Sequence, residues 1–178
     1  MNKNIFCAIK AICFSMVACS SIVASEGKLF LSPSKIETMC QELYEQAKND
    51  DFTPDLIIGL ARGGLMPLVY LSGEKMFDIR NVLSISVQSY EGTKQGTMKL
   101  THPWPIEAIK TNKSVLIVDD LTDTGETLEF IIKKLKKTCP DAIIKTAVLL
   151  RKPYSTIVPN YWVEATNQWV VFPWEKNN

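Results

Sequence analysis

Histidine is almost absent from this chain: His102 is the only one among 178 residues. A histidine-based nucleophile scheme or a histidine metal site therefore has little to be built from. Neither sign of charge is in excess, with 20 basic and 19 acidic side chains and a formal net charge of +1. A protein that lives on nucleic acid usually carries a clear basic surplus, so no nucleic-acid partner is expected. Eight glycines and nine prolines are too few for a collagen-like or low-complexity chain. No apolar run reaches the roughly 20 residues that a spanning helix needs. An apolar content of 46% with 22% charged residues excludes a wholly disordered chain, and the length suits one domain with its own core.

The charge is unevenly placed. Residues 1–25 hold Lys3 and Lys10, no acidic residue, and three of the five cysteines, Cys7, Cys13 and Cys19. A basic stretch to Lys10, an apolar run of about 14 residues from Ala11 to Ala24, and small residues at Val23-Ala24-Ser25 read as a signal-like segment with a cleavage site. Other readings stay open. One is an uncleaved anchor beginning near Ile5, another a lipoprotein-like box at Met16-Val17-Ala18-Cys19, and a third a misassigned start or nonfunctional extension. The remainder, 26–178, carries a net charge of −1 once those two lysines are set aside, and it reads as one domain. It keeps only Cys40 and Cys139. No spacing brings them within reach of each other, and they are read as free thiols.

Hydrophobic periodicity organises that domain. Ser32-Pro33-Ser34 opens a helix, with Ser34 and Glu37 in capping-box spacing and Ile36, Met39, Cys40, Leu43 and Ala47 on one face. Asn49-Asp50-Asp51 ends it. Leu56 to Leu60 is an unbroken apolar run, as in a strand buried on both faces. Arg62-Gly63-Gly64 is a turn, and Leu65 to Lys75 reads as a helix. Asn81 to Val87 and Ser114 to Val118 read as strands, the second followed by an acidic loop; Glu126 to Lys137 reads as a helix and Ile143 to Leu150 as a strand. Tyr161-Trp162-Val163 and Trp169-Val170-Val171 are short apolar pieces. Residues 89–112 are polar and lack a sustained period, which suggests a lid or a disordered insertion. Strands alternating with helices imply an α/β fold with a mostly parallel sheet, in which ligands bind at the carboxyl ends of the strands.

The chemistry concentrates in Val115-Leu116-Ile117-Val118-Asp119-Asp120-Leu121-Thr122-Asp123-Thr124-Gly125-Glu126-Thr127. Two carboxylates emerge from a buried strand, and a loop rich in threonine runs straight into a helix. Backbone N–H groups from Asp123 through Thr124, Gly125 and Glu126 to Thr127 can converge on a phosphate, where the helix dipole favours an anion. Gly125 allows close backbone approach, and the hydroxyls of Thr124 and Thr127 add donors. Thr122 is counted with the same loop. Asp119 and Asp120, being acceptors only, suit paired ribose hydroxyls or a Mg²⁺. A solvated turn followed by an ordinary helix cap is the bland alternative.

This run resembles the phosphoribosyl-pyrophosphate signature of type I phosphoribosyltransferases. Gly59-Leu60-Ala61-Arg62-Gly63-Gly64-Leu65-Met66-Pro67 looks like the pyrophosphate loop of that family. Lys152-Pro153 and Trp169-Val170-Val171-Phe172-Pro173-Trp174-Glu175 resemble the purine-binding end of bacterial xanthine-guanine (6-oxopurine) phosphoribosyltransferases. The resemblance implies a small C-terminal hood on the sheet and transfer of a 5-phosphoribosyl group to guanine, xanthine or hypoxanthine in purine salvage. Pyrophosphate is released and Mg²⁺ assists. It implies that Arg62, Gly63 and Gly64 bind pyrophosphate, that Asp123 is the general base, and that Lys152 donates to the purine 6-oxygen. Trp169 would stack on the ring, and the Val170 carbonyl would meet its other edge. The lid, with Ser89-Tyr90 and Lys94, would exclude water. The resemblance also implies a homo-oligomer, dimer or tetramer.

Two departures stand out. Glu175 occupies a position where the family typically has Asp, at a second metal contact beside Asp120. The signal-like segment points to export or membrane attachment, whereas the family works in the cytoplasm. Competing functions are a non-catalytic phosphoribosyl-pyrophosphate-binding regulator and an exported protein that kept the fold and lost the activity.

Overall fold

The computed structural model describes residues 27–90 and 97–175. The signal-like segment, residues 91–96 of the expected lid with Lys94, and the last three residues lie outside them. Eight strands and four helices are described: β1 (Lys28–Phe30), α1 (Pro33–Asn49), β2 (Leu56–Ala61), α2 (Leu65–Ser72), β3 (Val82–Tyr90), β4 (Thr97–Leu100), α3 (Ile106–Ile109), β5 (Ser114–Thr122), α4 (Glu126–Thr138), β6 (Ile143–Arg151), β7 (Tyr161–Ala165) and β8 (Trp169–Val171).

Six strands form the main sheet in the order β4-β3-β2-β5-β6-β7. All neighbours in it are parallel except the β3–β4 pair. Helices cover both faces. Leu116 and Val118 of β5 pack with Ile36, Met39 and Leu43 of α1 on one face. Val115 and Ile117 pack with Leu128, Ile131 and Leu135 of α4 on the other. The period-two alternation of β5 thus feeds two cores, which explains its unbroken apolar sequence. Cys40 lies in the first core and Cys139 in the second; both are buried free thiols, separated by the sheet. No described helix is long and apolar enough to cross a membrane.

Several elements differ from the sequence-based expectations. The N-cap of α1 is Ser32, whose hydroxyl accepts from the Lys35 amide at 3.1 Å, so the Ser34–Glu37 box is not the cap. Pro33 occupies the first helical position, where its missing N–H costs nothing, and the preceding residue becomes the cap. Helix α2 stops at Ser72 rather than Lys75, because Gly73 leaves the helix in extended conformation. The stretch 89–112 is not structureless. β4 returns antiparallel on β3, Ile109 of α3 is fully buried, and the Trp104 indole donates to Thr138 Oγ1 at 2.7 Å. Elements of four residues are too short to leave a period in sequence. Finally, β5 does not end at Val118. It continues through both aspartates to Thr122, because β6 keeps pairing with it.

The hood is a separate two-stranded sheet, β1 parallel to β8, with Lys28 opposite Trp169 and Phe30 opposite Val171. β1 is therefore the only described strand paired to the Trp169 segment. A chain starting at Ser32 should keep the main sheet yet melt several degrees lower than one starting at Gly27, as differential scanning calorimetry would read.

Candidate active site

The site opens where β2 and β5 part. Their last pairing is Gly59 with Val118, after which β5 continues beside β6 alone. The connections from β2 and β5 run to opposite sides of the sheet at this point, which makes it a topological switch point. The Arg62-Gly63-Gly64 turn fills the gap. It follows a cis peptide between Ala61 and Arg62. A Cβ on Gly63 would lie 2.1 Å from Asp120 Oδ2, and one on Gly64 would lie 2.4 Å from the Val118 carbonyl oxygen. Only glycine allows the turn to approach the end of β5 so closely. Here the Arg62-Gly63-Gly64 turn and the acidic pair meet.

An open cleft of about 420 Å³ lies against this junction, lined by Arg62, Gly63, Met66, Asp120, Trp174 and Glu175. The Arg62 side chain is exposed at its edge. Trp174 lies on Phe172, with ring centroids 4.9 Å apart. Glu175 is tied into the hood, since its Oε2 accepts the Phe172 amide at 3.0 Å. One carboxylate oxygen is thereby committed to the backbone, and the longer side chain still brings its charge to Asp120.

The acidic pair is half-buried. Asp119 Oδ1 accepts from the Asp120 amide at 3.0 Å, and Asp120 Oδ1 accepts from the Leu121 amide at 2.7 Å. Burial pushes the Asp120 carboxyl up to about 6; the bonds it accepts oppose this and the Glu175 charge adds to it. Burial first, and the Asp120 charge second, push Asp119 well above the usual carboxylate range. Among the described residues no three His, Cys, Asp or Glu side chains form a metal cage. Asp120 and Glu175 nevertheless present hard oxygens across one cleft. One or two carboxylates with the remaining positions left to water and ligand oxygens suit Mg²⁺.

The Asp123–Thr127 loop enters α4 through Gly125, whose φ is +93°. Thr124 Oγ1 accepts from the Glu126 amide at 3.4 Å. Glu126 is exposed at the helix start and Thr127 is half-buried. The first-turn amides have no partner within the helix, which is what an anion site requires. Two residues of this loop also contact the loop 155–157. Gly125 is needed for the loop 155–157, where a Cβ would meet the Ile157 amide nitrogen and Ser155 Oγ at 2.9 Å. Thr122 is buried, with its hydroxyl 3.3 Å from Ser155 Oγ, so its side chain also holds that loop.

On the hood side, Lys152 is buried, and its ammonium donates to the Gln168 carbonyl. Its backbone amide donates to the Thr122 carbonyl at 2.9 Å, which ties it to the signature loop. Trp169, next to Gln168, is 72% exposed and so is not core packing. The Val170 side chain is buried beneath the hood, opposite Leu29. Asp123 is exposed and accepts a hydrogen bond at Oδ1 from the Tyr154 hydroxyl. Sequence reading missed Tyr154 and Gln168, and it quoted Trp174 without giving it a role. Tyr154 carries no local signal, standing 31 residues from its partner. His102 is exposed and lies instead beside Pro103 and Trp104, against β3.

The Asp120 charge costs stability in the metal-free fold. A carboxyl raised in the folded state stabilises it below the unfolded value and loses that contribution as pH rises through about 6. Asp120→Asn should therefore melt a few degrees above the parent near pH 8, the difference vanishing below about pH 4, in thermal melts without divalent cations.

Comparison with known proteins agrees with this geometry. The phosphoribosyl transferase domain family matches residues 31–176. A xanthine-guanine phosphoribosyltransferase of Cereibacter sphaeroides is 34% identical over 120 residues, 67% of this chain and 68% of that protein. The crystal structure of a purine phosphoribosyltransferase from Pyrococcus horikoshii superposes with a TM-score of 0.73 at 39% identity, covering 85% of this chain and 95% of the other. The Helicobacter pylori xanthine-guanine-hypoxanthine phosphoribosyltransferase gives 0.75 at 26% identity, covering 84% and 94%. The sheet order, the glycine turn packed on Asp120 and these matches place the chain in the type I phosphoribosyltransferase family, a family of transferases.

Proposed function

We propose that this chain transfers a 5-phosphoribosyl group from phosphoribosyl pyrophosphate to a 6-oxopurine base, guanine, xanthine or hypoxanthine, in purine salvage. One observation carries the reading. Asp123, buried Lys152 and exposed Trp169 are linked through the 152–155 turn and Gln168, and Asp123 follows three residues after Asp120 of the cleft. A ring-stacking surface and a cationic donor next to an anion-binding helix start suit a planar base with an exocyclic oxygen. The names of the relatives, purine and xanthine-guanine phosphoribosyltransferases, support the same substrate class.

In this mechanism Arg62 and the Gly63 and Gly64 amides bind pyrophosphate, while the amides from Asp123 to Thr127 hold the 5-phosphate. Asp119 and Asp120 receive the ribose hydroxyls, with Asp120 and Glu175 available to a metal. Mg²⁺, when bound, supplies charge neutralisation on the pyrophosphate oxygens. The bond from the ribose anomeric carbon to pyrophosphate breaks, and a bond to a purine nitrogen forms through an oxocarbenium-like transition state. Asp123 takes the proton that the purine loses. Trp169 and Lys152 hold the base in line, so the reaction proceeds from a positioned pair.

The resemblance also suggests a homo-oligomer, dimer or tetramer, and Val69 of α2 is an exposed apolar side chain outside the cleft that suits a contact between copies. The test is pyrophosphate release by the purified chain with Mg²⁺ and each base, with sedimentation on the same sample. Purine-dependent turnover should fall roughly 10²–10⁴-fold in Asp123→Ala. Phosphoribosyl pyrophosphate binding without turnover of any base would favour a non-catalytic regulator instead. A monomer would remove the oligomer.

A further inference from the structure

Tyr154 is 61% exposed, and yet its hydroxyl is directed at one oxygen of one carboxylate, Asp123 Oδ1. The loop that carries it is anchored against the signature loop at four further points. The Lys152 amide donates to the Thr122 carbonyl at 2.9 Å, and the Thr156 amide donates to the Thr124 carbonyl at 3.0 Å. Thr156 Oγ1 donates to the same Thr124 carbonyl at 2.8 Å, and Ser155 Oγ lies 3.3 Å from Thr122 Oγ1. Gly125 removes the side chain that would separate the two loops. Residues 152–156 therefore form a buttress behind 122–125, and Tyr154 is the member that reaches past the backbone to the functional carboxylate.

A phenol has one proton to give. The Asp123 carboxylate, bonded to the hydroxyl and adding its own charge, holds Tyr154 above the usual phenol range, so the group remains a donor. A carboxylate with one oxygen pinned by a donor has its plane fixed, and its second oxygen is left as the free acceptor.

We propose that Tyr154 is a positioning residue: it holds Asp123 Oδ1 so that Oδ2 faces the purine and receives its proton. This rests on the purine-transfer reading. The step is balanced. The purine N–H bond breaks, an O–H bond forms at Oδ2, and the electron pair left on nitrogen enters the new bond to the anomeric carbon. Oδ1 becomes the carbonyl oxygen of the neutral acid and still accepts from Tyr154. The tyrosine neither touches the purine nor exchanges a proton with it.

The test is steady-state kinetics on the full chain, with saturating phosphoribosyl pyrophosphate and Mg²⁺ and varied purine. It compares the parent, Tyr154→Phe, Asp123→Asn and the double variant. Tyr154→Phe keeps the ring and should melt with the parent. Its kcat should fall roughly fivefold to tenfold, with the KM for the purine unchanged. In the Asp123→Asn background the same substitution should cost nothing further, because there is no base left to orient. Parental kcat in Tyr154→Phe, or an equal fold-loss in both backgrounds, overturns the positioning role and leaves the purine-transfer reading standing. A parent chain that turns over none of the three bases overturns both.

Discussion

The site depends on an inequality of strand pairing. β5 leaves β2 after Val118 and remains bonded to β6 as far as Thr122. Up to that point the strand is buried on both faces and fixed by two neighbours. Beyond it, one edge is free, and the next residues are two aspartates. The glycine turn that follows β2 occupies the space so created. A sheet that ended both pairings together would deliver the aspartates into a loose loop. This one delivers them on a strand that is still held, at the switch point where α/β sheets open a crevice.

That arrangement concentrates like charge in a partly dry place. Asp119 and Asp120 are adjacent, and Glu175 brings a third carboxylate across the cleft. Burial raises both carboxyls, with the Asp120 charge adding to it at Asp119 and the Glu175 charge adding to it at Asp120, so that ionising them works against the fold. The two cores on either side of the sheet supply the stability that this site gives up. Binding chemistry and stability are thus set against each other within a few residues of β5.

The C-terminal third acts on the signature loop from behind. Thr122, Thr124 and Gly125 are all engaged by residues 152–157, and the hood takes up the Lys152 ammonium through Gln168. The Thr122 hydroxyl and the positive-φ backbone of Gly125 hold loop against loop. The proposed base-binding groups are consequently as rigid as the contact between two loops separated by a helix and a strand.

Much of the architecture is legible in the residues alone. The apolar runs at 56–60 and 115–118 mark doubly covered strands, and the faces of α1 and α4 follow from helical spacing. The family resemblance assigns Arg62-Gly63-Gly64 and Asp119-Asp120 to one ligand, whereas the sheet order decides that β2 and β5 are neighbours. Short elements were not legible: β1, β4 and α3 have three or four residues each, less than a period can register. Sequence by itself determined the alternation of strand and helix and the chemical identity of the acidic and glycine loops, because those depend on local periodicity and on residue type. Tertiary structure alone decided that Tyr154 meets Asp123, that Gln168 holds Lys152, and that Trp169 stays open. Each of these joins side chains on different elements, and only the packing of those elements sets their distance.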